Sequence, residues 1–248
     1  MIYTLLNRFS TTALCCLILA GGLHAQEQPE TSGLDARGKK KPVFTCLYWE
    51  GLPKETLYYR VGEEFLSINF QDSIRSQEYP LKAMKSFQLY RDAKDPKDGV
   101  PPYDLLSTTA IPANSKQVLF LVIPFKKNAE ISYQVVAMDD SLDAFPRGTF
   151  RFANFTRQTL LVKFAGEIKK IPASKMTEMS CKPGKGGGFR PFIIGNAEGK
   201  QIFGTRLFGQ PSGRELVFIS PPLRRDSNSP RVKFISQLIG KPVVKSGQ

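Results

Sequence analysis

From Val43 onward the chain alternates short apolar runs with clusters of Gly, Pro, Asn and Asp. In the first half the runs are Thr56–Val61, Glu64–Phe70, Phe87–Tyr90, Val118–Ile123 and Ile131–Met138. Phe150–Asn154, Thr159–Phe164, Phe189–Ile194, Ile202–Phe208 and Leu216–Ile219 follow. They are rich in Phe, Tyr, Val and Ile, whose branched or flat side chains pack well on a pleated surface. With turn formers between them they predict an all-β chain. Val232, Ile235, Leu238 and Ile239 recur at a spacing that also suits a short helix. Val118–Ile123 is apolar on both faces. This predicts a buried central strand rather than an edge that pairs with a client, because long apolar edges invite aggregation.

The pattern repeats. Pro112, a polar stretch, Val118–Ile123, Pro124, a basic turn and Ile131-Ser-Tyr-Gln-Val match Pro211, Glu215–Ser220, Pro221, a basic turn and Arg231-Val-Lys-Phe-Ile. The first prolines of the two series stand 99 residues apart and the second 97. Glu64–Phe70 and Gln158–Phe164 match as alternating runs at a similar offset. An immunoglobulin-like sandwich needs about 100 residues and seven short strands. The expected architecture is therefore two tandem immunoglobulin-like β-sandwich modules, residues 43–142 and 145–240, with a tail at 241–248. Asp139–Gly148 interrupts two strand patterns and marks the boundary.

The residues before Val43 read differently. Arg8 precedes an apolar run, Thr11–Leu23, with small residues up to Ala25. This is the pattern of a secretory signal peptide, residues 1–25, and the run is short of the roughly 20 apolar residues that span a bilayer. Lipid attachment at Cys15 or Cys16 is disfavoured by the short run before them. Residues 26–42 are polar and aperiodic, and predict a flexible leader. The expected location is periplasmic or extracellular.

Cleavage changes the composition in a way that bears on chemistry. Of 248 residues 223 remain, and the single histidine, His24, is lost together with Cys15 and Cys16. A chain without imidazole cannot build a Ser-His-Asp or Cys-His centre. Two cysteines without histidine make a transition-metal site improbable, and no cofactor is expected. Cys46 and Cys181 either form one disulfide, which an oxidising compartment permits, or sit apart as buried thiols.

Other acidic and glycine-rich features are weak as sites. Glu63, Glu64, Asp139, Asp140 and Asp143 are the candidates for carboxylate catalysis, but they stand beside turn signals, where acids cap and solvate loops. Asp92, Asp95 and Asp98 are three apart with Lys94 and Lys97 between them, which is not the alternating spacing of a calcium loop. Lys182, Lys185, Gly186, Gly187, Gly188 and Arg190 form a candidate anion-binding loop, in which glycine amides and cations together could cradle an oxyanion. Its simpler reading is a hairpin tip. Asn154-Phe-Thr156 is a formal glycosylation acceptor or just a strand end.

Charge supplies the functional expectation. Losing Arg8 leaves 34 Lys+Arg against 22 Asp+Glu, a mature charge of +12. The basic groups are spread, with no basic helix face or aromatic-basic RNA signature, so specific nucleic-acid binding is not expected. Long-range attraction favours an anionic glycan, a cell-wall polymer or an anionic membrane surface as partner. The first expectation is an exported, non-catalytic binding or structural protein. The size, export, charge and paired sandwiches also resemble the two-domain pilus chaperones in architecture, which implies a periplasmic assembly factor with a protein client. A carboxylate-dependent glycoside hydrolase is the third reading.

Overall fold

The computed structural model describes residues 41–81, 84–94, 102–128, 130–181, 188–222, 227 and 229–238, all within one compact unit. Residues 1–40, which hold the expected signal peptide and most of the expected leader, the tail at 241–248, and Lys182, Lys185, Gly186 and Gly187 lie outside the described residues.

Among the described residues every element is a strand. The first eight are β1 (Val43–Tyr48), β2 (Leu57–Val61), β3 (Glu64–Ser67), β4 (Tyr79–Pro80), β5 (Ser86–Asp92), β6 (Tyr103–Ala110), β7 (Gln117–Lys127) and β8 (Glu130–Asp139). The second eight are β9 (Thr149–Asn154), β10 (Leu160–Phe164), β11 (Glu167–Ile171), β12 (Met176–Ser180), β13 (Gly188–Gly195), β14 (Gln201–Gly209), β15 (Gly213–Ser220) and β16 (Arg231–Leu238). Each eight forms two four-stranded sheets. In the first half these are β4-β1-β7-β8 and β3-β2-β5-β6, and in the second β12-β9-β15-β16 and β11-β10-β13-β14.

The second half repeats the first strand for strand. β1 pairs parallel with β7, and β9 pairs parallel with β15; the other ladders are antiparallel in both halves. Phe44 stands opposite Val118 and Phe150 opposite Glu215, so Val118 corresponds to Glu215 at the 97-residue offset. Val122 and Ile219 are equivalent at the same offset, and their carbonyls accept from the amides of Trp49 (2.9 Å) and Phe155 (2.7 Å), which makes Trp49 and Phe155, 106 residues apart, counterparts. The expected match of Glu64–Phe70 with Gln158–Phe164 is displaced by one strand. Gln158–Phe164 leads into and forms β10, whose counterpart is β2.

Three apolar layers result from strand parity. Phe44, Cys46, Val118, Phe120 and Val122 point from the inner sheet of the first half toward Leu57, Tyr59, Phe87 and Leu89, with the Phe87 and Phe120 rings stacked at 4.0 Å. Phe150, Phe152, Val217 and Ile219 do the same in the second half, toward Leu160, Val162, Phe164 and Phe192. The alternate residues of the inner sheets, Leu47, Trp49, Leu119 and Leu121 with Ala153, Leu216 and Phe218, meet in a third core between the halves. The arrangement is β-sandwich-like, with the two halves back to back. β1 and β9 are accordingly buried at all six positions, while β2 and β10 alternate.

β7 lies between β1 and β8, hence central and without a free edge. The helix-compatible spacing near the end is a strand instead. Val232 packs on the second core and Ile235 on the third, so β16 sends them to opposite faces, which a helix would not. The runs missed in sequence include the edge strands β6, β11 and β12, in which Asp104 and Ser107, Lys169 and Lys170, and Glu178 interrupt the apolar pattern.

Candidate functional site

Ladder register defines the outward face of β11-β10-β13-β14. Opposed residues share a face, so Phe192 and Ile194, which enter the second core, fix Phe189, Pro191 and Ile193 as outward. Their partners are Phe208, Arg206 and Gly204 on β14, and Lys163 opposite Ile193 on β10. Lys163 in turn faces Ile168, and Leu161 faces Lys170. The face therefore interleaves three exposed cations, Lys163, Lys170 and Arg206, with exposed Ile168, Phe189 and Phe208. Phe189 and Phe208 meet edge to face at 5.1 Å. None of the three cations has an ion pair among the described residues, and no outward position of these strands carries a carboxylate.

The equivalent face of the first half is chemically different. Arg60 stands where Lys163 does, but its Nε donates to Gly62 O at 2.8 Å and its guanidinium lies 5.6 Å from the Phe65 ring. Phe65 stacks on Tyr103 at 4.1 Å, and Tyr58 donates toward Asp92 at 3.4 Å. Aromatic surface and charge are used internally there. On β11-β10-β13-β14 they remain available to a partner.

The sequence-predicted residues are distributed elsewhere. Of the glycine-rich loop, Gly188 and Arg190 are described. Arg190 pairs with Leu207, a second-core residue, so it points inward and away from the cationic face; its Nη1 donates to Phe189 O at 3.2 Å. Cys46 and Cys181 are both free thiols, buried in the first and second cores respectively, and burial raises the pKa of each. Asn154 is fully buried, and its Nδ2 donates to Gln158 O (2.8 Å), Ile171 O (3.0 Å) and Pro172 O (3.1 Å), which makes it a loop anchor and not an accessible acceptor.

Asp140 departs from its expected role as a solvated cap. Its side chain is 0% exposed at the junction of the halves, paired with Arg75 and, at 2.9 Å, with Arg214 Nη2. Arg214 Nη1 also donates to Asp140 O (2.8 Å) and Phe145 O (2.9 Å). Burial lowers the Arg214 pKa to about 10 against the opposing pull of Asp140. From β9, Arg151 donates to Asp139 O (2.6 Å) and Ala144 O (3.1 Å) and pairs with Glu178 at 2.6 Å. The Phe145 ring lies between Arg151 and Arg214, 4.3 and 4.8 Å from the two guanidinium carbons. These cations hold the 139–148 connection by hydrogen bonds and cation–π contacts. Their role is structural, and the one signal for it in sequence is an arginine in each of two otherwise buried strands.

Lys169 and Lys170 are adjacent in sequence, but strand alternation sends them to opposite faces. Lys169 turns inward and donates to Glu178 O at 2.6 Å. Lys163 and Arg206 carry no sequence signal beyond alternation, because pairing partners, not neighbours in sequence, bring them to one face. No protein-family model matches the chain, and no curated protein matches it significantly.

Proposed function

We propose that the chain is an exported, non-catalytic binding protein of two immunoglobulin-like modules, 43–142 and 145–240, which engages anionic polymers after removal of residues 1–25. The observation that carries this reading is the outer face of β11-β10-β13-β14, where Lys163, Lys170 and Arg206 stand among exposed Phe189, Phe208 and Ile168 without an ion pair among the described residues. Cations spaced along a sheet attract a polyanion at long range, and the apolar groups between them contact its uncharged parts at short range. The partner class is an anionic glycan, a cell-wall polymer or an anionic membrane surface. The mature charge of +12 adds to the attraction but does not by itself select a face.

Retention of residues 26–248 on heparin-agarose, followed through a salt gradient, tests this. The variant K163Q/K170Q/R206Q elutes at distinctly lower salt than the unmodified chain. K116Q/K126Q/K127Q, which removes the same charge from other exposed positions, elutes close to it. Equal displacement of both variants would show that net charge alone is responsible. Retention that salt does not weaken would reject an electrostatic partner altogether.

A further inference from the structure

The third core is closed at one end by the 139–148 connection and open at the other. The repeat explains the opening. At the 97-residue offset, Ile123 of β7 corresponds to Ser220 of β15, so an apolar side chain that would fill the junction on one side is replaced by a small polar one. A cleft of about 560 Å³ occupies the space, walled by both halves. This lies within the roughly 300–1,000 Å³ typical of small-molecule sites.

The lining is divided by chemistry. Ile123, Val136 and Phe155 continue the apolar stripe of the third core and are only partly buried, and Met176, 42% exposed, faces them from β12. Trp49 lies at the inner end, edge to face with Phe155 at 5.6 Å and Phe218 at 5.4 Å. The rim carries Glu50, Lys175 and Arg231. Glu50 is the one carboxylate of the lining and is committed to Arg231 at 2.5 Å. Lys175 is exposed and has no ion pair among the described residues, so the rim keeps one uncompensated positive charge. An apolar slot with a cationic rim is complementary to a molecule with an apolar body and one anionic end.

We infer that this junction cleft binds an amphipathic organic carboxylate, its apolar body between Val136 and Phe155 and its carboxylate at Lys175. The site is distinct from the cationic sheet face and does not depend on the polymer-binding reading. Trp49 is the chain's single tryptophan, so its emission reports the cleft directly.

Titration of residues 26–248 with decanoate, decanol and decylammonium decides the matter. Decanoate produces a saturable change in Trp49 emission, with a midpoint about tenfold lower than that of decanol or decylammonium, as one charge-assisted contact would give. Lys175→Glu, an exposed substitution that leaves folding intact, raises the decanoate midpoint by about the same factor. Val136→Phe, which narrows the slot, abolishes the saturable change while the thermal transition is retained. K163Q/K170Q/R206Q leaves the decanoate midpoint unchanged, which separates this site from the polymer face. No saturable change with decanoate, equal midpoints for decanoate and decylammonium, or a midpoint unmoved by Lys175→Glu would each overturn the inference.

Discussion

Asp140 and its arginines show how a single buried carboxylate organises the connection between the halves. Removing one partner of a buried charge pair leaves the other desolvated and uncompensated, which costs about 3–5 kcal/mol. Asp140→Ala strands Arg75 and Arg214, and Arg214→Ala also leaves the carbonyls of Asp140 and Phe145 without their donor. Each substitution is expected to lower the unfolding free energy by about that amount in urea titration. A loss below about 1 kcal/mol, the value of an exposed pair, would show that the cluster is solvated. The two thiols illustrate the opposite case. Cys46 and Cys181 behave as small apolar groups because each is enclosed by its own core.

Elements follow alternation wherever one face is wet and continuous apolarity wherever both are covered. β10 reads Leu-Leu-Val-Lys-Phe, and its alternate residues Leu160, Val162 and Phe164 enter the core while Lys163 is left for the surface. Val118–Ile123 of β7 and Leu216–Ile219 of β15 read as unbroken apolar runs because they divide their side chains between two cores. The β10–β11 hairpin turns through Ala165 and Gly166 at φ +49° and +88°. A two-residue turn with positive φ at both positions favours Asn-Gly, and alanine there carries steric strain. Ala165→Asn is expected to raise stability by about 0.5–1 kcal/mol, relieving part of the roughly 1–2 kcal/mol that such strain costs. A thermal midpoint that falls on this substitution would contradict the turn geometry.

At the scale of the whole molecule, the third core and the arginine-held connection tie the halves together. Two free sandwiches would unfold separately, whereas a shared core of Leu47, Leu121, Leu216 and Phe218 makes exposure of one half costly to the other. Calorimetry should record one transition, and Phe218→Ala should shift all of it downward; two resolved transitions would show that the junction is weak. The all-β class, ten of the strands and a duplication with an offset near 97 residues were legible along the chain, because alternation and turn formers are local properties. The burial of Asp140, the separation of Cys46 from Cys181, the grouping of Lys163, Lys170 and Arg206, and the cleft beside Ser220 were decided by tertiary structure. Each depends on which strands pair and which sheet faces meet, contacts between residues far apart in sequence that no local pattern encodes.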